Sequence, residues 1–298
     1  MSEETIKHTI MKSYVINLAR SSDRRDHMVR QLSKSQLSYE FVRATDWRET
    51  DLDDPKLFDP KWLAEQQARG MRPGHAAAAL SHLEVCRRIL ADGLEYAIVL
   101  EDDVVLPGSL AGLVDAVQPH LEGAEVVLLF FSSALPDFTM GPCSVMRTGS
   151  VQLSPSRLLV QITDRCLPMG GGCYLITREA CERRVQAGLP IRAYPDYWPS
   201  FYQDGTIDRL RCVTPMPVRL SPDFRTTIDQ YHPNSVQARI RELVARTRIP
   251  VVHQALALRR RRTFRRLGWA GRVEFVDDLP GTSRSSLYCR SPQWADEL

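Results

Sequence analysis

No apolar run in this 298-residue sequence comes near the ~20 residues that a helix needs to cross a bilayer; Val126 to Phe131 is among the longest. A helical membrane span is thereby excluded. The first dozen residues, Met1 to Lys12, are polar and lack the continuous apolar stretch of a secretory signal, so the expected location is cytoplasmic. Seven cysteines (Cys86, Cys143, Cys166, Cys173, Cys181, Cys212 and Cys289) form no CxxC pair, and their odd number and wide spacing exclude a disulfide framework or a zinc cage. Reduced thiols are expected. Internal repeats and low-complexity tracts are also missing.

What is present suits a buried core. At 43% hydrophobic residues, the chain has material for one large α/β domain, or for a main domain with a small appendage. The net charge is only +3, but it is unevenly spread. Residues 236–272 hold eleven arginines and one acid, Glu242, while the rest of the chain has 28 basic against 35 acidic side chains. A basic surface of this kind calls for an anionic partner, either a membrane leaflet or a nucleic acid.

Hydrophobic periodicity gives an alternating order of elements. Tyr14 to Leu18 reads as a short buried strand, followed by a helix from about Asp23 to Ser35 with Met28, Val29 and Leu32 facing inward. A second strand follows at Tyr39 to Val42, and then Asp51, Asp53, Asp54, Asp59 and two prolines mark a flexible acidic loop. From Gly74 to Ala91, Ala79, Leu83, Cys86 and Leu90 recur at helical spacing, and Gly93 is placed to end that helix. Ala97 to Leu100 is a strand that runs directly into Glu101, Asp102 and Asp103. A helix near Ser109 to Leu121 and a strand at Val126 to Phe131 continue the alternation, which predicts a mainly parallel sheet flanked by helices. Residues 132–170 show turn signals without sustained periodicity. Tyr174 to Ile176 is again a strand, and Thr177 is an N-cap for a helix reaching about Ala187.

The chemistry concentrates at the end of one strand. Ligands of open α/β sheets bind beyond the carboxyl ends of the strands. Clustered carboxylates there are suited to hold a divalent cation against a diphosphate. Glu101, Asp102 and Asp103 have that placement, although three acids in a solvated turn would look the same.

Neighbouring motifs sharpen the reading. Tyr14 to Leu18 followed by Arg20, Arg24 and Arg25, then Gly74 with Leu80-Ser81-His82, then Ile98 to Val104 through Glu-Asp-Asp, resemble in order the motifs of glycosyltransferase family 25. This is the lipooligosaccharide-biosynthesis group, which also resembles collagen galactosyltransferases. Gly172 to Ala180 and Pro195-Asp196 are two further matches, and the resemblance spans roughly residues 13–228. Ala77 stands where the family usually has a second glycine, and His75 where an acid is common.

The resemblance implies a GT-A-type nucleotide-binding domain over residues 1–235, with a basic, mainly helical extension over 236–298. It also implies inverting transfer of a hexose, usually galactose from UDP-galactose, with Mn²⁺ or Mg²⁺. Carried over residue by residue, Asn17, Leu18, Arg20 and Arg24 or Arg25 contact the donor, with Arg24 and Arg25 equally readable as the exposed face of the following helix. Glu101 and Asp103 flank the metal, and Asp102 orients the donor. Ser81 and His82 join the donor set, with a packed, hydrogen-bonded histidine as the plainer reading of His82. Inversion needs a base near the acceptor hydroxyl. Asp196 is the first candidate and Asp223 its rival, ahead of Asp204 and Asp208. Tyr197 and Trp198, beside Asp196, are candidate acceptor-stacking rings.

The basic segment reads as an imperfect amphipathic helix over 251–267. Arg259, Arg260, Arg261, Arg262, Phe264, Arg265, Arg266 and Trp269 would hold the protein at the anionic inner face of a bacterial inner membrane, where a glycolipid acceptor resides. Two other readings stand beside this one. A non-catalytic family member would keep only a sugar-binding cleft. A nucleic-acid-binding protein would use the arginines but leave the acidic triplet unexplained.

Overall fold

The structure is a computed structural model and describes residues 11–35, 37–135, 141–224 and 270–276. In chain order, β1 (Lys12–Asn17), α1 (Ser22–Leu32) and β2 (Ser38–Arg43) open the fold. Then come α2 (Pro60–Ala68), α3 (Pro73–Ala91), β3 (Tyr96–Glu101), β4 (Val104–Val105), α4 (Leu110–Val117) and β5 (Glu125–Leu128). Five short strands follow: β6 (Ser132–Ala134), β7 (Cys143–Met146), β8 (Val151–Ser154), β9 (Arg157–Gln161) and β10 (Leu167–Met169). The chain continues through β11 (Cys173–Thr177), α5 (Arg178–Ala187), α6 (Trp198–Gln203), β12 (Arg209–Thr214), β13 (Arg219–Leu220) and β14 (Val273–Val276).

Eight strands form the central sheet in the order β2-β1-β3-β11-β5-β12-β9-β8. The pairings make six of them point one way, with β11 and β9 reversed. Every residue of β3 from Tyr96 to Leu100 is buried, as a strand covered on both faces requires. Its side chains alternate between two cores. Ala97 and Val99 pack with Val85, Cys86 and Ile89 of α3 and with Ala180 and Cys181 of α5. Ile98 and Leu100 pack on the other face with Met28 and Leu32 of α1 and Leu110, Leu113 and Val114 of α4. The result is helices on both faces of one sheet.

Several sequence-based expectations need adjusting. Val29 is 38% exposed, so the inward face of α1 runs through Arg24, Met28 and Leu32 instead. The acidic loop is more ordered than its composition suggests. Asp51 and Asp54 accept local amide hydrogen bonds, and Phe58 is buried and bridged to Ile191. Asp59 caps α2 by accepting from the Trp62 amide at 2.8 Å, with Pro60 in the first turn. Gly93, at φ +69°, ends α3 in the left-handed conformation that glycine adopts without strain.

Of the 236–298 stretch, only residues 270–276 are described, and they include β14, which runs parallel to β7. The 235/236 boundary, the helix expected over 251–267, and Arg259, Arg260, Arg261, Arg262, Phe264, Arg265, Arg266 and Trp269 lie outside the described residues. Among the described residues no helix is long and apolar enough to cross a membrane. Cys86, Cys143, Cys166, Cys173, Cys181 and Cys212 are free thiols, all buried.

Candidate active site

The C-terminal ends of β2, β1 and β3 and the first turns of α3 enclose a cleft. Its lining combines the apolar Ile16, Leu18, Ala44 and Trp47 with the charged Arg24, Glu101, Asp102 and Asp103. Arg20, Thr45, Gly74, Ala78, Ser81 and His82 complete the wall. β2 and β3 flank β1, so the loop after β2 that carries Ala44 and Trp47 lies two strand spacings, about 10 Å, from the β3 end that carries the acids.

The three acids play different parts. Asp102 is buried, with one carboxylate oxygen 2.8 Å from Asn17 Nδ2 and the other 2.5 Å from Arg24 Nη1. Asn17 also donates to the Ser21 carbonyl at 3.2 Å. Arg24 reaches Asp103 Oδ2 at 3.3 Å. Asn17 and Arg24, expected at the donor, therefore bolt the acidic turn to β1 and α1, and Asp102 is the residue they hold. Arg25 points away from this cluster. It is exposed on α1, its guanidinium 4.1 Å from the Phe41 ring centroid.

Glu101 and Asp103 are left to face the cleft. Asp103 Oδ1 is buried and has no hydrogen-bond partner among the described residues. The Glu101 side chain is 39% exposed where it opens on the cleft. Desolvation by the surrounding protein, with Asp196 and Asp102 nearby, nevertheless pushes its pKa up to about 8. Burial and the Glu101 charge push Asp103 up to about 7. Two carboxylates that resist ionising, one with an orphaned oxygen, are a fit for a hard divalent cation. No group of three or more His, Cys, Asp or Glu able to hold a metal exists among the described residues. Glu101 and Asp103 alone could hold a cation of the kind that takes one or two carboxylates and completes its shell with water and phosphate oxygens.

His82, on α3, is buried with Nδ1 2.8 Å from the Tyr174 hydroxyl and Nε2 3.6 Å from Glu101 Oε1. Burial and the charge of Arg184 lower its pKa to about 3, so the ring stays neutral. Ser81 donates to Ala77 O and accepts from the Thr45 amide, both at 2.9 Å, tying the loop after β2 to α3. Arg20 forms an ion pair with Asp46 on that same loop.

The rim on the far side of Glu101 is built from three glycines. The Glu101 amide donates to Gly172 O at 3.0 Å, and the Gly170 amide donates to Asp196 Oδ2 at 3.1 Å. Gly171 sits between them. A Cβ there would lie 2.9 Å from Glu101 Oε1, 3.1 Å from His82 Cε1 and 3.4 Å from Asp196 Cβ. Asp196 is thus brought beside Glu101, half-buried and outside the cleft lining itself. Asp223 is exposed on a turn two residues after Ser221, whose amide bonds the Asp103 carbonyl at 2.7 Å, and it does not line the cleft. Asp204 accepts from the Thr206 amide at 2.9 Å, and Asp208 pairs with Arg183 at 2.8 Å, both in structural roles.

Trp198 corrects the expectation of an acceptor-stacking ring. It is wholly buried, its indole donates to Gly170 O at 3.3 Å, and it packs edge-to-face on Tyr174 at 4.9 Å. An aromatic ring gains more from full burial than from a wet surface, and its one polar atom has found a carbonyl. Tyr197 is half-buried and bridged to Met169. Trp47, Gly170 and Gly171 went unnoticed in the sequence, although three consecutive glycines before a strand signal a close approach of backbone to something.

Segments of the chain are 30% identical over 95 residues to procollagen galactosyltransferase 2 of Mus musculus, and 32% over 123 residues to a putative glycosyltransferase of Acanthamoeba polyphaga mimivirus. They cover 30% and 40% of this chain but only 15% and 36% of those proteins. An inactive glycosyltransferase 25 family member 3 of Homo sapiens is 27% identical over 117 residues, covering 38% of this chain and 20% of that protein. Residues 10–183, more than half of the chain and including β1, α3, the acidic triplet and the glycine run, match the profile described as glycosyltransferase family 25 (LPS biosynthesis protein), and the chain belongs to that family.

Proposed function

We propose that the protein is an inverting glycosyltransferase that moves a hexose, most simply galactose from UDP-galactose, onto a glycan or glycolipid acceptor such as a lipooligosaccharide. The observation that carries this reading is the Glu101 and Asp103 pair in the wall of the cleft, with Asp103 Oδ1 buried and unpartnered among the described residues and with apolar Leu18, Ala44 and Trp47 in the same wall. A nucleoside diphosphate has the matching polarity, with a flat base for Trp47, Leu18 and Ala44 and a charged diphosphate for the β3 end. A divalent cation held by Glu101 and Asp103 would neutralise the charge that develops on the departing diphosphate.

The chain's own residues supply the rest. Arg24 and Asn17 fix the turn, so both carboxylates stay aimed at the cleft. Gly171, with no side chain, lets Glu101 and Asp196 approach each other closely. Asp196, its Oδ2 held by the Gly170 amide, takes the proton of the attacking acceptor hydroxyl. Neutral His82 supports Glu101 from behind.

The decisive assay measures UDP release from UDP-sugars with and without Mn²⁺. Mn²⁺-stimulated release that is lost in Asp103→Ala supports the reading. Release that ignores both metal and substitution would overturn it. The family also contains members named as inactive, and Ala77 replaces a glycine usual in this family, so a sugar-binding role without turnover is the second reading. Donor binding by thermal shift without UDP release across an acceptor panel would favour it.

A further inference from the structure

Arg184 lies on α5 and is only 5% exposed, and among the described residues it pairs with no carboxylate. Its guanidinium carbon sits 4.1 Å from the Phe201 ring centroid and 5.6 Å from that of Trp198. Nη2 donates to the Pro195 carbonyl at 3.4 Å, and Nη1 is buried without a hydrogen-bond partner. Burying a cation this way is unfavourable unless its contacts compensate, and an unbranched apolar side chain would fill the same space without that cost. Packing alone gives no reason for a charge here.

The hydrogen bond and the two ring contacts of the Arg184 guanidinium fall on one short segment, the residues around Asp196. Pro195 is its hydrogen-bond acceptor, and Trp198 and Phe201 are its aromatic partners. The same segment is tied to the glycine run twice, through Trp198 Nε1 to Gly170 O at 3.3 Å and through the Gly170 amide to Asp196 Oδ2 at 3.1 Å. The loop is therefore held from two sides, by α5 and by the strip before β11.

We infer that Arg184 is a positioning residue, a buried guanidinium clamp that holds residues 195–201 so that Asp196 faces Glu101 across Gly171. It touches no reacting atom and acts through Asp196, so its effect on turnover rests on the proposed role of that carboxylate. Its effect on the loop does not.

The test compares Arg184→Met, of similar length without charge, with Arg184→Lys, which keeps a cation. Amide exchange followed by NMR reads the clamp without reference to activity. In Arg184→Met the Gly170 amide should exchange about tenfold faster or more, while the Tyr174 amide in the middle of β11 keeps its wild-type rate. Equal acceleration at both positions, or at neither, would overturn the clamp. In the UDP-release assay, kcat should fall about 100-fold with KM for the donor unchanged, the cost of a small misplacement. Arg184→Lys should recover part of the loss. An unchanged kcat, or a loss confined to donor KM, would refute the positioning role. If the wild-type protein released no UDP from any donor, the transferase reading would fail, and the exchange rates would still decide whether Arg184 holds the loop.

Discussion

Arg24 Nη1 lies 2.5 Å from Asp102 Oδ1 and 3.3 Å from Asp103 Oδ2, so a single guanidinium holds two consecutive carboxylates at the end of β3. Their side chains are 7%, 10% and 20% exposed, which places the cluster largely out of water. Removing one partner of a buried pair leaves an uncompensated charge.

Arg24→Ala should therefore destabilise the fold by about 3 kcal/mol and weaken metal binding as well. Urea denaturation checks the first effect and Mn²⁺ titration the second. Arg25→Ala is the internal control, because Arg25 is exposed and, among the described residues, stacks on Phe41 alone. Its midpoint should stay within about 0.5 kcal/mol of wild type. Similar losses in the two variants would remove the distinction drawn between neighbouring arginines.

Gly171→Ala tests the close approach of Glu101 and Asp196. The added methyl would meet Glu101 Oε1 at 2.9 Å and His82 Cε1 at 3.1 Å, so one of those groups must move. UDP release should fall about 100-fold, while circular dichroism stays native. Activity within a factor of about two of wild type would mean that the carboxylate can retreat without consequence.

Stability in the absence of divalent cations should fall as pH rises through neutrality. The folded protein keeps Glu101 protonated up to about 8 and Asp103 up to about 7, whereas their ordinary values are 4.5 and 3.8. Between those limits the native state binds more protons than the unfolded chain, so the free energy of unfolding decreases with increasing pH. The denaturation midpoint should be higher at pH 6 than at pH 8.5, and Glu101→Gln should flatten the difference. Mn²⁺ should act in the opposite direction, binding more tightly as the carboxylates lose their protons. A midpoint that rises steadily from pH 6 to 8.5 without metal contradicts this assignment.

Trp198 and Tyr197 should part company under mutation. Trp198→Ala empties a fully buried site and should cost about 3 to 5 kcal/mol of stability. Tyr197→Phe changes only a half-buried hydroxyl and should leave stability nearly intact. If Trp198→Ala instead raised acceptor KM with no change in the melting temperature, the ring would be a binding surface after all.

Much of this arrangement is written in local pattern. β1, β3, β11 and α3 follow from apolar periodicity, and Thr177 does accept from the Ala180 amide as the N-cap of α5. The acidic triplet lies at a strand end because the run from Tyr96 to Leu100 has no polar interruption. Other features need the third dimension. β6 to β10 are three to five residues long, too short for period-two alternation to stand out. Dense aromatics after Asp196 suggest a sugar platform, but burial claims Trp198. The inward turn of Arg24 was legible in principle, since Arg24, Met28 and Leu32 recur every four residues on one helical face. An arginine among core positions is easily assigned to solvent until a carboxylate partner on another element is known.

The reversed direction of β11 has a consequence for how the edge of the sheet is assembled. In a wholly parallel sheet, only strand exits supply the ligand-binding edge, so each contribution there also determines the crossover that leaves it. β11 instead arrives at that edge, delivering Gly170 to Gly172 beside Glu101 before descending between β3 and β5. The glycine run and the acidic pair therefore reach the same edge from opposite chain directions, one entering the sheet and the other leaving it, so the spacing between them is set by the β3–β11 register.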